Sequence, residues 1–469
     1  MNAGARSRGV RVTRRGVRVR RIGAFLLAGA LAATCGARAL PDAGTPSWAS
    51  PGLVGGGGWP YAGVPLPPED APGASYIPGS SVVRLADGRV RLVPFGGETA
   101  VTLDASDPGV VAAVRSDRAW LASGTVPGRF SDMASRALLD LRLLTGAEGA
   151  SLASWFGAWR YAWPRDSAFA AAAFTVTGHP QEALRILRFM AGVQTPSGLW
   201  AARYRPDGSP VLDGRSPQLD SVGWMLWAAW LFQRSDPSGT ELWPMVERGA
   251  DRLAASLRRD GLPPPSADYW ERNPATEQDP GAPTLGVAGP VLAGLRSAAA
   301  FASGTGHTAR AAAWRTAADR VADAIGARFA PLGYPRSPVR GGAMDTSVTF
   351  VAPPFAPADP FVAAAVATAA RRQALPNGGV LPGERWPGDP SVAWTPETAL
   401  FALSDAASGR RDAAVAQLSW LASHRTSLGA LPEKVDPGGR QAAVAPLGWT
   451  ASLVVLALTA LERPLPVPD

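Results

Sequence analysis

From residue 131 onward, apolar positions recur at three- and four-residue intervals, the period of a helix with one buried face. Such stripes cover residues 131–145, 165–177, 181–194, 218–233, 241–259, 286–303, 307–328, 359–374, 396–408, 411–423 and 447–462. Breaks such as Thr177-Gly-His-Pro180, Ser235-Asp-Pro-Ser-Gly239 and Ser408-Gly409 separate most of them, and residues of these types end one helix and begin the next. Short turns alternate with irregular loops of roughly ten to thirty residues, and loops of that length inside a compact domain tend to carry function. Helical hairpins joined in this way predict a closed ring with its long loops on one face. Stretches 165–177, 286–303 and 359–374 are dominated by Ala, Leu, Val and Phe with few charges, which predicts a buried inner ring. Stretches 307–328 and 411–423 carry Arg and Asp along one side and suit an outer ring.

The pattern differs before residue 131. Residues 81–103 alternate in places (Val82, Val83, Leu85, Val90, Leu92, Val101, Leu103), and Ala86-Asp-Gly-Arg89 supplies a hairpin turn, which predicts a small β segment. Residues 106–128 show no clear period. Residues 40–80 are rich in Gly and Pro, with Gly55 to Gly58 at the centre, and read as a linker or a surface arm. The predicted division is therefore a leader at 1–39, the arm at 40–80, a small β or irregular segment at 81–128 and a helical domain at 129–469.

Composition adds a folded core: of 469 residues, 46% are hydrophobic and 17 are Trp. A pI near 10.4 suggests nucleic acid, but residues 1–39 hold nine of the arginines and no Asp or Glu. The whole chain carries +8, so the remainder is close to neutral and lacks the basic face that nucleic-acid binding needs. The Arg-rich start, an apolar run at 22–33 and small residues around Ala37-Arg-Ala39 predict a secretory leader. Within it, Thr13-Arg14-Arg15-Gly-Val17 resembles a twin-arginine signal, and Cys35 is a weaker candidate for a lipid anchor. The expected location is therefore outside the cell or in its envelope, with no membrane span in the mature chain.

The candidate chemistry is carboxylate chemistry. Glu271 closes Asp268-Tyr-Trp-Glu271, and Glu433 sits in Leu431-Pro-Glu-Lys434 beside the chain's single lysine. Upstream, Tyr161-Ala-Trp-Pro-Arg-Asp166 delivers Arg165 and Asp166 at a helix start opened by Pro164. Trp155, Trp159, Tyr161 and Trp163 are four of the five aromatics in nine residues, more than a core helix needs. Two separated carboxyls amid aromatic and guanidinium groups suit cleavage of a sugar–sugar bond, one giving and one taking a proton. Simpler readings compete: Asp166 as a helix-dipole partner, Glu271 and Glu433 as solvated loop residues, Glu277 as a rival acid and Glu397 as a rival base. His179, His307 and His424 are scattered, so neither a metal nor a cofactor is expected. The chain has no Gly-x-Ser-x-Gly elbow and no Walker loop.

The segment Tyr161-Ala-Trp-Pro-Arg-Asp-Ser-Ala-Phe169 resembles the Arg-Asp signature of glycoside hydrolase family 15, the glucoamylase-like enzymes. Similar segments follow in the family's order: Leu199-Trp200…Arg203-Tyr204…Asp207-Gly208, Gln218-Leu-Asp220-Ser-Val-Gly223, Asp268-Tyr-Trp-Glu271, and Leu431-Pro-Glu433…Pro446-Leu-Gly-Trp449-Thr-Ala-Ser452. The resemblance spans residues 130–462 and implies a mainly α fold, an (α/α)6 barrel of helical hairpins, preceded here by the small β segment. It implies inverting hydrolysis of α-linked glucosides. Glu271 would be the general acid, kept protonated by the Trp270 indole and an apolar wall. Glu433 would be the base, and Lys434 would help keep it ionised.

The resemblance also implies that Arg165 and Asp166 anchor a sugar ring. Tyr161, Trp163, Trp200, Asp268, Trp270, Arg385 and Trp394 would complete the substrate-binding set. The expected partner is an oligo- or polysaccharide. The chain departs from the family at Asp213-Gly214-Arg215, where some members place an aromatic. Three alternatives remain open: trehalase specificity, a non-catalytic carbohydrate-binding homologue, and a phosphorylase using Arg203, Arg205 and Arg215.

Overall fold

Among the described residues, proline opens six of the twelve α-helices, at the first or second position, where its missing N–H has no intrahelical partner to lose. This placement is why the helix starts are legible in the sequence. The computed structural model describes residues 73–94, 100–155 and 159–469. The expected leader, its Cys35 and most of the Gly/Pro-rich arm lie outside the described residues. The helices are α1 (Pro108–Ser123), α2 (Ser131–Leu144), α3 (Pro164–Val176), α4 (Pro180–Val193), α5 (Leu219–Ser235), α6 (Trp243–Ser256), α7 (Leu285–Gly304), α8 (Thr308–Arg328), α9 (Pro360–Gln373), α10 (Thr395–Ala407), α11 (Arg411–Ser423) and α12 (Gly448–Glu462).

The ring predicted from hairpin rhythm is present. Helices α3, α5 and α7 pack in succession, then a 3-10 segment at Thr346–Val351, then α10 and α12, which returns to α3. Helices α2, α4, α6, α8, α9 and α11 are the outer partners. Residues from around the ring meet at its centre: Phe169, Trp224, Trp227, Phe350 and Phe355 pack edge to face or tilted, with centroids 4.8–5.9 Å apart for most pairs. The inner helices α5 and α7 cross where neither carries a side chain. A Cβ on Gly223 would lie 2.0 Å from the Pro290 carbonyl oxygen, and one on Gly294 would lie 2.5 Å from the Gly223 Cα.

Two expectations are corrected. Residues 359–374 were expected in the inner ring, but α9 is an outer helix. It buries one stripe (Val362, Ala365, Val366, Ala369 and Gln373) and leaves Phe361 77% exposed. Its alanines are small rather than strongly apolar, so composition overstated its burial. The fourth inner position belongs to Thr346–Val351, all of it buried, a segment too short to show a helical period. Residues 106–128, which showed no clear period, contain α1, whose buried positions are only Val110 and Leu121.

The small β segment forms as a four-stranded antiparallel sheet, β1 (Ser75–Tyr76), β2 (Val83–Arg84), β3 (Val90–Leu92) and β4 (Val101–Leu103). Its β2–β3 turn is the expected one, with Leu85 N donating to Arg89 O at 2.8 Å and Gly88 at φ +87°. A second sheet joins two of the long loops: β5 (Ala393–Trp394), β6 (Lys434–Val435) and β7 (Gln441–Ala442), with Trp394 opposite Lys434. Helix α7 is long and apolar enough to cross a membrane, and 89% of its apolar window is buried inside the barrel.

Candidate active site

The first turn of α3 carries two charged side chains into the protein. Arg165 and Asp166 are both buried. Arg165 donates Nη1 to Asp220 Oδ2 at 3.1 Å and to Gln218 Oε1 at 3.2 Å, and Nη2 to Glu271 Oε1 at 3.0 Å. Gln218 extends the chain of bonds by donating Nε2 to the same Glu271 oxygen at 2.9 Å. Because Gln218 and Asp220 stand at the start of α5, Arg165 ties α3, α5 and the Glu271 loop together. Burial opposes its charge, but Asp220, Glu271 and Asp166 outweigh burial and hold it as a cation. Its guanidinium lies 5.3 Å from the Trp449 ring centroid, on the floor of the site. Burial pushes Asp166 up to about 6 against the pull of Arg165, and the charges of both Glu271 and Glu433 push the same way.

Glu271 ends a tight turn. Trp270 N donates to Asp268 Oδ1 at 3.0 Å and Glu271 N to Asp268 O at 2.7 Å. Glu271 itself adopts φ +56°, a left-handed conformation that costs energy in a non-glycine residue and often marks a functional site. Asp268 is 1% exposed and is fixed by Thr284 Oγ1 at 2.6 Å and Arg336 at 2.9 Å. Arg336 also binds Asp345 at 2.7 Å and Glu277 at 2.8 Å, and its guanidinium covers Trp270 at 3.8 Å. Asp268 thus holds the turn in shape, and Glu277 is committed to Arg336. The wall expected around Glu271 is different in kind. Two guanidinium groups and an amide converge on its carboxylate, with Arg215 Nη1 at 2.6 Å from Oε2, where an apolar surround was expected.

Glu433 begins the β6 edge and is 7% exposed. Its backbone is pinned by Glu433 N donating to Val444 O at 2.8 Å and Thr395 N donating to its carbonyl at 3.0 Å. Trp159 Nε1 donates to Oε1 at 3.2 Å. Oε2 accepts no hydrogen bond from the described residues, and Lys434 Nζ is 3.6 Å away. Lys434 lies over the Trp394 ring at 4.1 Å, a cation–π contact that fixes the ammonium. Burial raises the Glu433 carboxyl, opposed by Lys434 and by the Trp159 hydrogen bond. Glu397, in the first turn of α10, is also buried, and burial pushes it up to about 8.

The remaining predicted residues divide. Arg203 lies 4.7 Å from the Tyr161 ring and 5.1 Å from that of Trp163, joining them into one wall. Trp394 meets Trp386 edge to face at 5.0 Å, and Trp386 meets Trp270 at the same distance. Trp200 is 1% exposed, and its indole donates to Met190 O at 2.8 Å on α4; it packs the core and presents no face to a sugar. Arg385 is exposed, its hydrogen bond running to Gly341 O at 3.5 Å. Of the three arginines expected of a phosphate cluster, Arg203 and Arg215 meet on Asp213, with Arg215 Nε 3.3 Å from Oδ2, and Arg205 stands apart. Arg205 bonds Pro210 O in an exposed turn, and Arg215 also reaches Glu271.

Sequence reasoning missed Gln218, Asp220 and Trp449 as site residues, although each lies in a segment that carried the family resemblance. It also missed Trp386 and Arg336. Arg336 stands in an irregular loop of an arginine-rich chain and carries no local signal. Among the described residues, no three His, Cys, Asp or Glu group at metal-binding distance.

No family model and no curated protein sequence matches the chain. Solved structures match its fold. A glycosidase solved in complex with glucose is 23% identical with a TM-score of 0.60, covering 71% of this chain and 96% of its own. A bacterial glucoamylase complexed with acarbose is 17% identical with a TM-score of 0.62, covering 79% and 64%. A glucoamylase from Saccharomycopsis fibuligera is 14% identical with a TM-score of 0.55, covering 70% and 93%. At these identities the likeness establishes the fold: the chain is an (α/α)6 barrel, and these three solved structures that share it are glycosidases by name.

Proposed function

We propose that the chain is an exported inverting glycoside hydrolase acting on α-linked glucosides. The observation that carries this reading is the position of Asp166. This buried carboxyl in the first turn of α3 lies beside Arg165, which bonds Glu271 at 3.0 Å, and the charges of Glu271 and Glu433 both raise it. Arg165 and Asp166 would anchor the sugar, and Trp449 would form the floor.

Glu271 gives its proton to the glycosidic oxygen as the bond from that oxygen to the anomeric carbon breaks. Its electron pair stays on the leaving oxygen. A water on the opposite face attacks the anomeric carbon and loses its proton to Glu433. The Oε2 atom of Glu433, which among the described residues has only the Lys434 ammonium nearby at 3.6 Å, is the acceptor. Attack opposite the departing bond inverts the anomeric centre, and it requires room for one water between substrate and base. The leader expected at residues 1–39 is part of the same reading and carries the activity out of the cytoplasm.

The test is hydrolysis of maltose, maltooligosaccharides, dextran and trehalose with NMR detection of the first-formed anomer. The expected product is the β-anomer, and the panel separates glucoamylase from trehalase specificity. Formation of the α-anomer first, or wild-type turnover by both Glu271→Gln and Glu433→Gln, would overturn the assignment.

A further inference from the structure

Glu271 has a second neighbourhood. Together with the loop preceding α5, the end of α6 and the segment following Glu271, it lines a cavity of about 500 Å³, the size of a small-ligand pocket. Three arginines stand on its walls, Arg215, Arg252 and Arg272, and Glu271 is the one acidic residue there. Arg215 is bound to Glu271. Arg252 and Arg272 form no hydrogen bond or ion pair with a described residue. Arg252 lies near the end of α6, where a cation suits the helix dipole. No such account exists for Arg272, which follows the strained turn at Glu271. Pro264, Pro265 and Pro274 stiffen the surrounding walls.

We propose that this cavity receives the leaving-group half of the substrate, and that this half carries an anion, a carboxylate or a phosphate. The inference rests on the reading of Glu271 as proton donor. Guanidinium forks match both kinds of anion, and two of the three are unclaimed. The third supplies a link to catalysis. Arg215 holds Glu271 Oε2 as a hydrogen-bond acceptor at 2.6 Å. Arg215 has a side chain 39% exposed and also pairs through Nε with Asp213 at 3.3 Å, so an anion in the cavity competes with both carboxylates for it. An anionic leaving group would thus draw Arg215 away and free Oε2 to carry the proton that the departing oxygen takes.

The experiment compares three glucosides of the linkage that the enzyme cleaves fastest, with glucose, glucuronate or a phosphorylated glucose as leaving group. At low ionic strength the anionic substrates should exceed the neutral one in kcat/KM on the order of tenfold. Added salt should erode that advantage, because the guanidinium groups face solvent. Which of the two anions gains more identifies the source. The Arg252→Gln/Arg272→Gln double variant should bring the anionic-to-neutral ratio toward one, mainly through KM. Turnover of the neutral glucoside with inversion but no anionic advantage overturns this inference and leaves the hydrolase reading intact. A ratio unmoved in the double variant overturns it equally. No turnover of any of the three sinks both.

Discussion

Around Glu271 the side chains are charged and interlocked. Arg165, Arg215 and Gln218 hold its carboxylate, and Arg336 braces the turn beneath it through Asp268. Around Glu433 they are few and largely aromatic: Trp159 on one oxygen, Lys434 nearby on the face of Trp394, and the buried Glu397 beyond. One glutamate is set by donors, the other by exclusion of water. Environments of opposite kind are how a protein gives two chemically identical carboxyls different tasks. The contrast also corrects a simple expectation: the apolar surround expected at Glu271 lies at Glu433, and Arg215 stands on Glu271 Oε2.

The largest expected effect would break the comparison if it failed. Glu271→Gln and Glu433→Gln should each lower kcat by roughly 10²–10⁴, the range of general acid–base catalysis. A glucosyl fluoride sharpens the result, because its leaving group needs no proton. It should restore much of the rate in Glu271→Gln and none in Glu433→Gln. Rescue of the second variant would reverse the two roles.

Next in size is the scaffold. Arg336→Met strands three carboxylates, Asp268, Glu277 and Asp345. It should cost roughly 3–5 kcal/mol, as loss of one partner from a buried ion network does. On the Glu433 side, Thr395→Val removes a hydroxyl shared with the Pro432 carbonyl and Thr450. It should cost only about 1–3 kcal/mol, the range for a buried polar group left unsatisfied. Urea unfolding of both variants measures the difference, and equal losses would contradict a charged scaffold on one side only.

Smaller effects lie in pH dependence. Lys434 opposes the upward push of burial on Glu433, so Lys434→Gln should move the acidic limb of the kcat/KM profile to higher pH. An unmoved limb would remove Lys434 from the base's surroundings. Glu397 titrates near 8 when folded, above its ordinary 4.5. The native state therefore binds more protons than the unfolded chain between those values, and stability from this group falls as pH rises through them. Glu397→Gln should flatten that slope in denaturation curves taken from pH 4.5 to 8.

Much of the barrel could be read in advance. The inner helices α3, α5, α7, α10 and α12 announce themselves by apolar runs punctuated by Pro and Gly. The motifs at Arg165, Glu271 and Glu433 stand out because unusual residue types cluster in loops. What stayed illegible is instructive. Trp200 sits in a site-like motif yet turns into the core, because its indole finds the Met190 carbonyl. Arg385, read as a substrate-side residue, is exposed, whereas Arg336, unmarked in the sequence, holds the Glu271 turn.

The sequence by itself determined the helix count of the described residues to within one, the hairpin rhythm, and which carboxyls and aromatics were available for chemistry. Those properties are local, since hydrophobic period, caps and turn residues act within a few positions of each other. Only the tertiary structure decided which element fills the fourth inner position, which arginine meets which carboxylate, and which glutamate is surrounded by donors or by rings. Those outcomes depend on residues far apart in the chain, such as Arg165 with Glu271 and Trp159 with Glu433, and on burial that converts an ordinary side chain into a tuned one.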